Sequence, residues 1–128
     1  MRQRGFTLIE VLVALLILAV VITTTLLVFV ERTRRLQDAT ETILAYQALS
    51  NESEVRRRIN FNQLDASPSD LVSDTALLQP LSPYTTYVTI ADAQPNIKNV
   101  TLFVRWRQGK RYAKLELVRI GTGGSNLW

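Results

Sequence analysis

The chain of 128 residues contains no cysteine and no histidine. The absence of cysteine excludes a disulfide framework, a thiol nucleophile and a thiolate metal site. The absence of histidine removes the commonest general base and the commonest metal ligand. A catalytic site would have to be built from carboxylates, lysine, serine or tyrosine alone. The composition therefore predicts a protein that is not an enzyme, with no catalytic residue, no metal site and no cofactor.

Glycine and proline are also scarce, with five and four residues, and neither occurs between Phe6 and Ser67. Such a stretch favours one long helix from Phe6 to about Arg58, because both helix-breaking residues are missing. Within 31–61, apolar residues recur at spacings of three and four, the pattern of an amphipathic helix. The residues that carry it are Leu36, Ala39, Ile43, Tyr46 and Leu49.

A long apolar run lies near the N-terminus. Residues 11–30 form 20 positions without a charged side chain, and about 20 such residues cross a hydrocarbon layer of roughly 30 Å as a helix. The run is longer than the apolar core of a secretory signal peptide, and no small-x-small cleavage site follows it. Three positive charges flank each end, so the charge bias does not orient the segment. The threonines at 23–25 are tolerable there because their hydroxyls can bond back to carbonyls one turn earlier.

A single carboxylate, Glu10, interrupts the start of this run. Charged side chains inside membrane helices are costly, rare and usually paired. The residues before it form a short basic leader, Arg2-Gln3-Arg4-Gly5, and the string GFTLIEVLVA follows from Gly5. This string closely resembles the N-terminal signature of type IV pilin-like proteins.

The resemblance implies a role for three residues. A prepilin peptidase would cut between Gly5 and Phe6 and methylate the new amino group of Phe6, and Glu10 would serve filament assembly. The leader would stay in the cytoplasm. The processed chain would be a single-pass protein of the inner membrane, with its head in the periplasm or outside the cell. The partners would be this peptidase, an assembly platform, membrane lipid before assembly, and other major and minor pilin-like subunits.

The chemistry at the new terminus supports that role. The amine freed at Phe6 is mostly protonated at neutral pH, and methylation keeps its charge. It would lie about one helical turn from Glu10, where a partly desolvated carboxylate gains a charge-assisted hydrogen bond. The pair can form within one chain or between neighbours. We therefore expect cleavage to gate assembly.

The layout divides into a leader (1–5), a transmembrane and assembly helix (6–30), an amphipathic stalk helix (31–61) and a small α+β head (62–128). Major pilins commonly carry a proline near the position of Leu27. No proline occurs in this segment here, and its absence favours a minor subunit. The size of the chain, its small sheet and its strand-like C-terminal segment resemble the I-type minor pseudopilin of type II secretion, or the related V-type minor pilin.

The last 45 residues have strand character. Strands are predicted over 84–90, 99–107 and 111–120, and a turn at Gln108-Gly109 joins the last two. This register pairs apolar residues on one face: Val100 with Leu117, Leu102 with Leu115 and Val104 with Ala113. That face is expected to pack on the stalk at Leu49, Val55 or Ile59. The predicted fold class is α+β, one long N-terminal helix packed on an antiparallel sheet of about three strands.

The parts around this sheet carry weaker signals. Arg56–Arg58 are expected to form a solvated basic turn at the end of the stalk helix. In the connector 60–83, Ser67 is predicted to cap a short helix over 68–78, which Pro80 and Pro83 end. Leu127-Trp128 could dock from an otherwise glycine-rich tail.

A second hypothesis is a minor pilin that binds DNA for uptake. On the outward face of the hairpin, basic residues alternate with aromatics, which can hold a nucleic-acid backbone and stack bases. The contacts would be Arg105, Arg107, Tyr112 and Lys114. The alternative is a solvated sheet face whose charges prevent aggregation, and we favour that alternative.

Overall fold

A computed structural model describes residues 5–71 and 75–121. The long helix α1 spans Leu8–Arg58 and is followed by two 3₁₀ helices, Phe61–Ala66 and Thr75–Leu81. Three strands complete the described chain: β1 (Tyr84–Gln94), β2 (Ile97–Trp106) and β3 (Arg111–Ile120). The strands form one antiparallel sheet in the order β1-β2-β3. The predicted α+β class, a long N-terminal helix packed on three strands, is confirmed.

The chain divides into two compact units, residues 1–39 and 40–128. In the first, the helix exposes its apolar side chains on every side from Leu8 to Val30. The threonine hydroxyls donate back to carbonyls of the preceding turn, as predicted: Thr23 to Ala19 at 2.8 Å, Thr25 to Val21 at 2.8 Å, and Thr24 to both Val20 and Val21. These hydroxyls therefore present no unsatisfied donor to an apolar environment.

The second unit holds the hydrophobic core. Helix residues Ala45, Ala48 and Leu49 are fully buried and belong to one cluster with the inner face of the sheet and the two 3₁₀ helices. The sheet contributes alternate residues, as a half-buried sheet requires. They are Val88 from β1, Val100, Leu102, Val104 and Trp106 from β2, and Ala113 and Leu117 from β3.

The hairpin register of β2 and β3 is confirmed. Val104 pairs with Ala113, Leu102 with Leu115 and Val100 with Leu117. The loop of residues 107–110 joins the strands, and three of its residues, Arg107, Gln108 and Gly109, have positive φ angles of 51°, 55° and 86°. Such turns match the twist of the two strands.

We expect Gly109→Ala to destabilise the head by about 1 kcal/mol, because L-residues with a side chain are strained in the left-handed region. A Cβ atom there would also lie 3.3 Å from Cδ of Arg105. Gln108→Asn is the matched control, since asparagine tolerates positive φ. Urea unfolding of the whole chain in detergent measures both. A midpoint of the Gly109→Ala variant equal to that of the unaltered protein would contradict the turn geometry.

The predicted contact of the stalk with the sheet is confirmed at Leu49, which is fully buried, and at Ile59, which packs against the core, but it is wrong at Val55, which is exposed. The other large apolar residues of the predicted stripe, Leu36, Ile43 and Tyr46, are also exposed. The face toward the sheet is instead lined by Ala45, Ala48, Leu49, Glu52, Ser53 and Arg56. Small residues on this face allow the helix backbone to approach the sheet closely. The spacing of large apolar residues does not predict which face has this property.

The prediction for the basic turn is wrong for Arg56. Its side chain is fully buried, and Nε donates to Oε1 of Glu52 at 2.7 Å. Nη1 donates to the hydroxyl of Ser67, and Nη2 donates to the carbonyls of Pro68 at 2.8 Å and Asp70 at 2.9 Å. A buried guanidinium needs such partners for its donors. Arg56 therefore fastens the connector to the helix, while Arg57 and Arg58 are exposed as predicted.

The predicted connector helix is also wrong in its bounds. Residues 68–71 are not helical, because Arg56 holds the carbonyls of Pro68 and Asp70 in its own hydrogen bonds. Ser67 ends the first 3₁₀ helix instead of beginning a second one. Pro80 lies inside the later 3₁₀ helix, where its fixed φ fits a helical backbone. The predicted docking of Leu127-Trp128 lies outside the described residues.

Hydrogen bonds of four side chains, Glu41, Trp106, Arg107 and Arg119, fix the helix segment of the second unit to the sheet. Glu41 accepts hydrogen bonds from Nε1 of Trp106 at 2.9 Å and from Nη2 of Arg107 at 2.8 Å. Arg119 donates to the carbonyls of Arg57 at 2.5 Å and Ile59 at 2.8 Å. A cation suits the C-terminal carbonyls of a helix. The two ends of this segment are thus held by β2 and β3.

Candidate processing and assembly site

The bond between Gly5 and Phe6 lies in an open, non-helical segment. Residues 5–7 precede the first helical residue, Leu8. A Cβ atom on Gly5 would meet no atom within 4 Å, and the Phe6 side chain is 81% exposed. A protease needs a bond that is free of neighbouring structure, and the open space at Gly5 and the exposure of Phe6 meet this need.

Glu10 lies in the first turn of α1. Its backbone amide donates to the Thr7 carbonyl at 3.0 Å, and the amide of Val11 reaches the same oxygen at 3.3 Å. The carboxylate is exposed, and the positive end of the helix dipole favours an anion there. Because the helix starts after Phe6, helical geometry does not preform a contact between residues 6 and 10 in the uncut chain.

The helix behind this site is long and apolar enough to cross a membrane by length and composition, and it is the one such helix among the described residues. None of its most apolar window is buried. At the far end of the apolar run, Nε of Arg35 and Oε1 of Glu31 form an exposed ion pair at 3.0 Å. The apolar surface is therefore available to lipid or to other helices.

The four residues considered for nucleic acid lie at one end of the sheet, and each has a partner within the chain. Arg107 pairs with Glu41 at 2.8 Å, and Lys114 pairs with Glu116 at 2.5 Å. The guanidinium of Arg105 lies 5.4 Å from the ring centroid of Phe103, and the Tyr112 ring stacks on the same ring at 5.5 Å. The hydrogen bond to Glu116 and its negative charge raise the pKa of Lys114.

An aromatic ladder crosses all three strands on this outer face. Phe103 stacks against Tyr87 with centroids 4.7 Å apart and against Tyr112 at 5.5 Å. The central ring therefore stacks on two neighbouring rings within the sheet. Cross-strand aromatic pairs stabilise a sheet, so the ladder has a structural explanation.

The two described acidic residues of the connector are Asp65 and Asp70. No group of three or more acidic residues that could hold a metal occurs in residues 5–71 and 75–121. Asp65 accepts a hydrogen bond from Lys98, whose ammonium also lies 5.0 Å from the ring centroid of Phe61. Asp74 lies outside the described residues.

Sequence reasoning missed the buried role of Arg56. The spacing of Glu52 and Arg56 predicts a helical ion pair, and this pair is present at 2.7 Å. The same spacing relates exposed pairs as well, so it does not reveal burial. The short, polar connector after the helix was the available signal, because the backbone carbonyls of a connector need hydrogen-bond donors and Arg56 is a nearby donor.

Comparison with protein-family models matches residues 1–26 to the family described as the prokaryotic N-terminal methylation motif. No curated protein and no solved structure matches the chain. The matched stretch includes Gly5, Phe6 and Glu10, together with much of the apolar run. Residues 1–26 are thus similar to the prokaryotic N-terminal methylation motif, in agreement with the pilin-like signature GFTLIEVLVA of the sequence.

Proposed function

We propose that this protein is a minor pilin-like structural subunit, a pseudopilin, of a type II secretion pseudopilus or a type IV pilus. Prepilin peptidase processes it, and it then assembles into a filament from the inner membrane. The match of residues 1–26 to the methylation motif carries the proposal. The open segment around the Gly5–Phe6 bond supports it, because cleavage needs an accessible bond.

Three residues have separate roles in this proposal. Gly5 and Phe6 flank the bond that is cut, and the freed amine of Phe6 is then methylated. Glu10 of an incoming subunit accepts a charge-assisted hydrogen bond from the Phe6 amine of a subunit already in place. Before cleavage that amine does not exist, so the uncut chain lacks one partner of the pair.

The remaining parts follow the same scheme. Residues 1–5 are the leader and stay in the cytoplasm, residues 6–30 anchor the chain and enter the filament core, residues 31–61 form the stalk, and residues 62–128 form the head outside the inner membrane. The unburied apolar helix surface supports this division, because it exchanges lipid for neighbouring helices without exposure to water. The partners are the assembly platform and other major and minor subunits.

The minor-subunit assignment rests on the helix. Proline is absent from the whole of α1, including the region of Leu27. An unkinked helix differs from the usual major pilin in this segment, and the small three-stranded head resembles the I-type and V-type minor subunits in size. The outer sheet face gives no specific support to nucleic-acid binding, because its cations and rings have partners within the chain.

The test of processing is Gly5→Val. A β-branched side chain at this position hinders the extended approach to the protease, and we expect cleavage to fall at least about tenfold, for a loss of 1.4 kcal/mol or more in transition-state binding. Intact-mass measurement on protein from native membranes reports the loss of residues 1–5 and the gain of one methyl group.

Thr7→Ser is the control for this variant, because it keeps the hydroxyl and lies on the other side of the cut. It should be processed like the unaltered chain. Recovery of the unaltered protein from native membranes with Met1 still in place would overturn the proposed function.

A further inference from the structure

A polar cleft lies beside the C-terminal end of the helix in the second unit. Three stretches of chain form its walls: 57–63, 95–96 and 119–121. Its volume is about 650 Å³, within the range of roughly 300–1,000 Å³ that ligand sites occupy. This surface, which we name the helix-end cleft, shares no residue with the processing site.

The walls of the helix-end cleft are fixed to one another. Arg119 donates to two backbone carbonyls at the end of the helix. The amide of Gly121 donates to the carbonyl of Asn96 at 2.8 Å. Gly121 also lies so close to Phe61 that a Cβ atom there would be 2.9 Å from Cδ1 of the ring. The cleft is therefore preformed, and a preformed site loses little conformational freedom on binding.

The charge of the helix-end cleft is positive. Arg57, Arg58 and Arg119 line it, and none of the described residues that line it is acidic. Arg58 is exposed and forms no ion pair with any other described residue. Arg57 has a long, exposed pair with Glu54 at 3.9 Å, and exposed pairs of this kind are weak. The cations of the cleft are therefore available to an anionic ligand.

Arg119 also has an unsatisfied group. Its two Nη atoms donate to carbonyls, which carry no net charge, and it forms no ion pair with a described carboxylate. Its Nε is the one buried side-chain nitrogen or oxygen without a hydrogen bond in residues 5–71 and 75–121. A cation withdrawn from water without a counter-ion is costly, and an orphaned buried donor calls for an explanation such as a bound ion. An anion in the cleft would offset this cost.

Four amide side chains surround these arginines: Asn60, Asn62, Gln63 and Asn96. None of the four has a side-chain hydrogen bond to the described parts of the chain, and Asn60 does not cap the 3₁₀ helix that follows it. An amide group both donates and accepts, so it matches the N–H and C=O groups of a peptide backbone. A phosphate group mainly accepts and offers no match to the amide oxygens. The set of side chains therefore fits a polypeptide better than a phosphate.

We propose that the helix-end cleft binds an acidic segment of a different polypeptide, with its carboxylates on the arginines and its backbone on the amides. Guanidinium groups bind carboxylates through paired hydrogen bonds. The cleft has room for more than a single ion, because a water molecule takes roughly 30 Å³ in the liquid. This site goes beyond the proposed function and does not depend on it, since neither processing nor filament entry is used to infer it.

This chain does not itself supply such a segment. Carboxylates that reach two of the arginines together must lie close in sequence. Only two pairs of acidic residues lie within three positions of each other: Asp38 with Glu41, and Glu52 with Glu54. Glu41 and Glu52 already bind side chains of the head. Residues 122–128 contain no acidic side chain, so the occupant is a different chain.

The experiment titrates a fluorescent peptide of alternating aspartate and serine into the full-length protein in uncharged detergent and records anisotropy. A peptide of alternating asparagine and serine has the same spacing without charge, and inorganic phosphate is the competitor that represents a small anion. We expect the acidic peptide to bind with a Kd below about 1 mM and the neutral peptide to bind at least about tenfold more weakly. Phosphate at the concentration of the peptide should not displace it.

Two variants test the location of binding. Arg58→Gln removes a cation from the helix-end cleft, and Gln63→Glu places a carboxylate in it. Each should weaken binding at least about tenfold, for the loss of a charge-assisted contact. Lys110→Gln and Gln108→Glu make the same changes of charge in the turn at the other end of β2. Their binding should stay within about twofold of the unaltered chain, because salt screens charges over such a distance.

Three outcomes would overturn the proposal. They are no binding of the acidic peptide up to about 1 mM, equal losses in the cleft and turn variants, and displacement by phosphate at equal concentration. The second would show attraction to net charge alone, and the third would assign the cleft to a small anion. Intact mass of the same samples reads processing separately. An uncut N-terminus contradicts the proposed function, whereas a failure of peptide binding contradicts the helix-end cleft alone.

Discussion

Replacement of Glu10 by alanine should leave membrane insertion and cleavage intact and reduce incorporation into the filament by roughly ten- to a hundredfold. The variant removes the one acidic side chain of the first helical turn and leaves the apolar run unchanged. A hydrogen bond to a charged group contributes about 1.5–3 kcal/mol, and the incoming subunit would lose this contribution. Insertion should not suffer, because removal of a charge makes an apolar helix more apolar.

Glu31→Ala is the matched control. Glu31 lies at the other end of the apolar run and forms an exposed ion pair with Arg35, and exposed pairs contribute about 0–1 kcal/mol. Its incorporation should stay within about threefold of the unaltered chain. Quantitative immunoblotting of sheared filaments and of membranes, with intact-mass measurement of processing, separates the three steps. Normal incorporation of Glu10→Ala would refute the assembly role of this carboxylate.

Replacement of Glu52 by alanine should destabilise the head by about 3–5 kcal/mol, because the Arg56 guanidinium would remain buried without its carboxylate. Glu52 and Arg56 are both fully buried, and their side-chain atoms lie 2.7 Å apart. Part of the loss should appear as release of the connector, since Arg56 also holds the carbonyls of Pro68 and Asp70.

Glu54→Ala is the control, because Glu54 lies on the same helix two residues after Glu52, and its ion pair with Arg57 is exposed, with Nε and Oε1 3.9 Å apart. Its effect should be about 0.5 kcal/mol or less. Arg56→Lys adds a second comparison: it keeps the charge but lacks the planar fork that reaches several acceptors. Denaturant unfolding in detergent, monitored by near-ultraviolet circular dichroism, measures the stability of all three variants. Equal stability of the two alanine variants would contradict the buried pair.

Local features of the chain were predictable because they depend on neighbours in sequence. The absence of glycine and proline from 6–67 predicts the uninterrupted helix that ends at Arg58. The alternation around Gln108-Gly109 predicts the pairing of Leu102 with Leu115, since a one-residue slip would turn every apolar side chain outward. The open segment at Gly5 and the early position of Glu10 in α1 agree with the motif that the sequence carries.

The features that sequence reasoning missed depend on contacts between distant parts of the chain. Ile43 and Tyr46 form an apolar stripe but are exposed, because the sheet packs on the side of Ala45 and Ala48, where small side chains allow close approach. Arg56 belongs to a basic run typical of a solvated helix end, yet the connector folds back over it and takes up its donors.

The sequence by itself determined the processing motif, the membrane-length helix and the hairpin register, because each arises from spacing within one segment. Only the tertiary structure decided which helix face meets the sheet and which arginine is buried. Those outcomes depend on how segments tens of residues apart fill space and satisfy each other's polar groups, as Arg119 does for the carbonyls of Arg57 and Ile59.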